Sequence, residues 1–187
     1  MKHNTTIQSK VIIENNTVYF NDELLFQEEP DTDFADFIKK AYKFLQIEYP
    51  KFFKMDNLSK LAFIGADILL RDITKENIEN NIALVLANRS SSADTDIKHQ
   101  ESIRNKSAYY PSPAVFVYTL PNICLGEISI RHKLYSENTF FIFETYHKDY
   151  LENYTSYLLQ SGKAEKVLCG WVEFLKGNYR LSFYLYN

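Results

Sequence analysis

The stretch Asn138–Phe174, NTFFIFETYHKDYLENYTSYLLQSGKAEKVLCGWVEF, decides the fold. It reads as strand, turn, helix, strand. Thr139–Phe143 is a short aromatic and β-branched run with the pattern of a buried strand. Thr145 and Tyr146 make a sharp passage into a helix. There Tyr150, Leu151, Tyr154, Tyr157 and Leu158 form one apolar stripe at helical spacing. Gly162 ends the helix, as glycine just past the last periodic residue does. Lys166–Phe174 is the next strand. A strand that turns abruptly into a helix is a favoured seat for a nucleophile, because the helix N-terminus stabilises negative charge. The residues at this turn are Glu144, Thr145, Tyr146 and His147, with neither cysteine nor serine.

Outward from that stretch the same alternation continues. Upstream, Ile82–Ala87 is a continuous apolar run, expected of a strand covered on both faces. Two helices precede it. Asp33–Leu45 carries Phe34, Phe37, Ile38, Ala41, Phe44 and Leu45 at helical spacing, with Asp31 or Thr32 as N-cap. Met55–Arg71 carries Leu58, Leu61, Ala62, Gly65, Ile68 and Leu69, and its small residues Ala62, Gly65 and Ala66 permit close packing on a sheet. Gln8–Phe20 is either a hairpin about Asn15-Asn16 or one strand with a polar break. Arg89–Ser107 is polar and serine-rich, read as a loop with a short helix, and Pro121 opens a helix to about Lys133. Downstream, Lys176-Gly177-Asn178 joins Lys166–Phe174 to a last strand, Tyr179–Tyr186. Strands alternating with helices imply a mixed sheet with helices on both faces, in one domain spanning residues 1–187.

The totals exclude several classes of function. Twenty-one basic against 24 acidic residues give a net charge of −3, which argues against a nucleic-acid surface. MKHNTTIQSK lacks the apolar core of a signal peptide, and no apolar run approaches a membrane span, so a cytoplasmic location is expected. Cys124 and Cys169 both lie in apolar segments and read as buried structural thiols, with no disulfide framework or zinc spacing. Asp94, Asp96, His99 and Glu101 match no metal loop and read as a solvated polar stretch, and Ser90-Ser91-Ser92 lacks the glycines of a phosphate loop. No cofactor or metal is expected.

Four stretches in this order resemble the N-terminal half of β-ketoacyl-acyl-carrier-protein synthases, of the thiolase-like superfamily. Lys54–Leu70 is similar to the family's basic-Met-Asp helix. Asn80–Ser92 is similar to its second strand and small-residue loop. In Pro111–Leu134, the residues Pro113, Phe116, Pro121, Asn122, Gly126, Ser129 and Ile130 resemble the segment before the nucleophile strand. Asn138–Phe174 then follows the nucleophile strand, helix and Gly-Gly-x-Glu strand without a gap. Gly170 and Glu173 match, and Trp171 replaces the second glycine.

The resemblance implies an α/β half-unit of the thiolase-like fold with a five-stranded mixed sheet. It also implies that the chemistry is gone. Thr145 occupies the nucleophile position, and an alkoxide there needs an adjacent base. His147 is two residues away, and no carboxylate is placed to orient it. Bulky Tyr146, His147 and Lys148 replace the small residues that admit substrate, and the family's histidines belong to a second half. The implied function is a non-catalytic accessory subunit in carrier-protein-dependent acyl or polyketide assembly. The alternatives are a residual acyltransferase or thioesterase using Thr145 or His147, and an acyl or carrier-protein binding module. The implied partner is a second copy or a ketosynthase-type subunit, paired through Thr139, Phe140, Phe141, Ile142 and Phe143. The acyl carrier protein is a further partner. A single half would also leave an apolar helix layer uncovered.

Overall fold

The structure is a computed structural model that describes residues 5–74, 78–104 and 110–187. The end of the polar stretch at 105–107 and the first four residues fall outside these. Seven strands form one sheet: β1 (Ile7–Glu14), β2 (Thr17–Phe20), β3 (Glu23–Gln27), β4 (Ile82–Asn88), β5 (Asn138–Ile142), β6 (Lys166–Leu175) and β7 (Asn178–Tyr186). Their order is β3-β2-β1-β7-β6-β4-β5. β4 is parallel to β5 and β6, and the other pairs are antiparallel.

The sheet thus has seven strands where five were expected. Gln8–Phe20 is a hairpin, with Asn15 and Asn16 both at positive φ (49° and 55°), the geometry of a tight two-residue turn. Asn21 and Asp22 repeat that geometry at 51° and 70°, folding Glu23–Gln27 back as the additional edge strand β3. Lys176 and Gly177 close the β6–β7 hairpin likewise.

Helices cover both faces. On one, α1 (Phe34–Phe44), α2 (Asn57–Leu70) and α5 (Ile123–His132) pack on Leu84, Leu86, Leu168, Val172, Leu181 and Phe183. α1 is capped by Asp33, not Asp31 or Thr32: its carboxylate accepts the Asp36 N–H at 2.8 Å. α2 is capped by Asp56, which accepts the Ser59 N–H at 2.9 Å. Gly65 lets α2 lie against β7, since a Cβ there would fall 2.6 Å from Leu181 Cδ1. On the other face, α6 (Lys148–Gln160) buries Leu151, Thr155 and Leu158 against Ala83, Val85, Ala87, Val167 and Cys169. The polar stretch after β4 forms a longer helix than expected, α3 (Ala93–Ile103), followed by the short α4 (Pro113–Val117).

β5 is not a buried strand. It ends the sheet, every residue of it is at least partly exposed, and Ile142 is 49% exposed. The stripe on α6 differs too. Its buried line is Leu151, Thr155 and Leu158, while Tyr150 and Tyr157 are half exposed and Tyr154 sits between.

Candidate functional site

The C-terminal ends of the parallel strands β4, β5 and β6 meet at one end of the sheet, the place where open α/β sheets form their binding crevices. The Phe143 N–H donates to the Asn88 carbonyl at 2.9 Å, joining the end of β5 to that of β4. Glu173, near the end of β6, accepts the backbone N–H groups of Arg89 (2.8 Å) and Ser90 (3.3 Å). The family-like glutamate therefore holds the loop after β4 by capping its amides.

Glu144, Thr145, Tyr146 and His147 form the corner between β5 and α6, and all four are exposed. His147 stands at the N-cap of α6 without a side-chain cap bond. Its imidazole meets the Phe143 ring edge-on, with centroids 5.2 Å apart. Among the described residues, Thr145 and His147 share no hydrogen bond, so the hydroxyl lacks the base that a threonine nucleophile requires. The Tyr146 ring lies 5.7 Å from the Trp171 indole. Tyr146 is 36% exposed, and the partial desolvation of its phenol raises it above its ordinary pKa.

The two glycine positions on β6 have different physical requirements. A Cβ on Gly170 would stand 2.1 Å from the Ser182 carbonyl oxygen and 2.9 Å from Phe183 Cα, so β7 allows nothing larger. Position 171 projects to the α6 face, where the indole fills the space beneath the corner. The corner is thus occupied by two aromatic rings. Neither thiol of the chain is at the corner or accessible. Cys124 and Cys169 are 1% and 2% exposed, and burial raises both, Cys169 to about 12.

The acidic residues beyond β4 are engaged structurally. Asp94 pairs with Lys98 at 2.6 Å and accepts the Lys176 N–H, Asp96 accepts the Ser92 hydroxyl, and the His99 ring packs on Phe116. Among the described residues, no group of three or more His, Cys, Asp or Glu side chains is placed to hold a metal ion. No described helix is long and apolar enough to cross a membrane.

The outer face of α6 is mixed, with Asp149, Asn153 and Gln160 beside the half-exposed rings of Tyr150 and Tyr157, so the uncovered apolar layer that was expected is broken by polar residues here. Further exposed apolar side chains lie on β5 (Ile142), α5 (Ile130), α4 (Phe116) and the α4–α5 connection (Leu120). Asn138 Nδ2 donates to Ser129 Oγ at 3.1 Å, so α5 flanks β5 along the sheet edge. Sequence reasoning missed one feature at the start of that strand. Tyr154 donates a hydrogen bond to Glu137, and Lys163 pairs with the same carboxylate at 3.1 Å, which together hold that carboxyl below its usual range.

No protein-family model and no curated protein matches the sequence. Solved structures do. The ishigamide ketosynthase/chain length factor superposes on 98% of this chain and 62% of its own, with a TM-score of 0.72 at 16% identity. The chain shares the fold of that structure. A ketosynthase in complex with its chain length factor from Xenorhabdus doucetiae matches 98% of this chain and 78% of its own, with a TM-score of 0.63 at 15% identity. A β-ketoacyl synthase from Burkholderia phymatum STM815 matches all of this chain and 59% of its own, at 0.64 and 12%. The chain spans less than two thirds of the first of these structures.

Proposed function

We propose that this chain is one ketosynthase-like domain acting as a non-catalytic accessory subunit in carrier-protein-dependent acyl or polyketide assembly, in the cytoplasm. The observation that carries the reading is the corner itself. An exposed threonine without a base stands where the resemblance places a nucleophilic thiol, over a space filled by Tyr146 and Trp171. Two of the matched structures combine a ketosynthase with a chain length factor. Another holds a type II PKS acyl-carrier protein in complex with its ketosynthase.

The partner is a ketosynthase-type subunit or a second copy, added along β5 through Thr139, Phe140, Phe141, Ile142 and Phe143. An open sheet edge is a ready template for another strand, and the exposed Ile130 belongs to α5, which flanks β5. The subunit works by shaping that interface rather than by bond making.

The test has two arms. Sedimentation and co-expression with a ketosynthase should yield a complex that β5 substitutions abolish, and a monomer under both conditions would refute the assembly. Incubation with acyl-carrier-protein thioesters should leave the intact mass unchanged. A covalent acyl adduct lost in Thr145→Ala would refute the non-catalytic reading in favour of a residual acyltransferase.

A further inference from the structure

A cavity of about 260 Å³ lies between the start of α2, α3 and α4, at a distance in sequence from the β5–α6 corner. Lys54, Lys60 and Lys98 line it together with Met55, Val115 and Tyr118. Its one carboxylate is committed. Asp56 Oδ1 accepts the Ser59 N–H at 2.9 Å, and its Oδ2 accepts the Thr95 hydroxyl at 2.7 Å. Lys98 is already paired with Asp94. Among the described residues, Lys54 and Lys60 have no carboxylate at ion-pair distance, although the chain as a whole is acidic.

Lys60 is half-buried, and desolvation lowers its pKa in spite of the nearby Asp56 charge. A cation drawn from water toward an apolar wall is costly unless an anion joins it. Three ammonium groups stand against two carboxylates, since Asp56 keeps its charge and Asp94 pairs with Lys98, so one positive charge is left over beside the cavity.

We propose that this cavity binds a small phosphate monoester, its phosphate between Lys54 and Lys60 and its organic group against Met55, Val115 and Tyr118. The size suits a fragment-sized ligand rather than a long chain. The proposal is independent of the accessory-subunit reading, since neither β5 nor the corner contributes to the cavity.

The test is a titration of the full chain with inorganic phosphate and with n-butyl phosphate at fixed ionic strength, followed by amide chemical shifts. Saturable shifts are expected at Asn57, Ser59 and Lys60, with the butyl ester binding several-fold more tightly than phosphate. Lys60→Gln should weaken both at least tenfold, and Lys39→Gln on the exposed side of α1 should change neither. Urea midpoints of the variants exclude unfolding as the cause. Unsaturable shifts, shifts matched by chloride, or unchanged affinity in Lys60→Gln would overturn the site. So would a Lys60→Gln effect confined to carrier-protein binding, which would make these lysines a protein-docking surface.

Discussion

His132 makes the stability of this chain depend on pH in a defined window. The residue ends α5, is 5% exposed, and sits beside Asp67 of α2. Its Nδ1 lies 3.2 Å from Thr74 Oγ1, and its Nε2 is 3.7 Å from Asp67 Oδ1, beyond hydrogen-bond reach. Burial is the main force lowering its pKa to about 4, against the pull of Asp67, with Arg131 and Arg71 adding to the fall. The fold therefore holds the neutral imidazole, while the unfolded chain takes up a proton near pH 6.5. A buried group whose folded value lies below its unfolded one contributes stability above the unfolded pKa and loses it as pH falls toward the folded one. At 1.36 kcal/mol per unit, the loss is about 2 kcal/mol between pH 7 and pH 5, and about 3 kcal/mol by pH 4. Urea unfolding at pH 7, 6 and 5 measures it, with His132→Asn as the variant that cannot titrate. The variant should start less stable and show a shallower slope by about 2 kcal/mol over that range. Equal slopes, or a His132 ring proton titrating near pH 6.5 by NMR, would refute the reasoning.

Three further outcomes are expected. Gly170→Ala forces β6 from β7 and should cost about 3 kcal/mol, a fall of about 10 °C in Tm by calorimetry. Thr145→Cys introduces an exposed thiol at a corner with no base. It should be alkylated at the rate of an ordinary surface thiol by mass spectrometry, while Cys124 and Cys169 stay protected in the native chain. Ile142→Lys charges the middle of the proposed interface and should weaken the complex about thirtyfold by sedimentation while leaving Tm nearly unchanged.

Much of the fold was legible because its periodicities are strong. Phe34, Phe37, Ile38 and Ala41 mark α1, and the six apolar residues of Ile82–Ala87 mark a strand buried on both faces. β3 was not legible from Glu-Leu-Leu-Phe-Gln, whose five residues alternate on neither face, although Asn21-Asp22 before it carries the tight-turn chemistry of a hairpin. α3 was read as mostly loop because Thr95 is its one buried residue, and a helix polar nearly all round has no stripe to detect.

At the site, the sequence shows that the corner Glu-Thr-Tyr-His carries neither cysteine nor serine. The filling of the space beneath it was not legible, because Tyr146 and Trp171 are 25 positions apart and meet only when β6 lies next to β4. The edge position of β5 was hidden for a similar reason. Four consecutive apolar residues look the same at a border as in a centre, and strand order depends on long crossovers rather than on local pattern.

The β2–β3 hairpin has a consequence for how many copies can associate. It covers β1, which would otherwise offer a second long border to neighbours, and replaces it with five residues bounded by Glu23 and Gln27 and skewed by an irregularity at Val18/Tyr19. Such a margin is a poor template for further strands. With a partner added along β5 as proposed, this margin would stop association at a closed pair instead of a growing fibre.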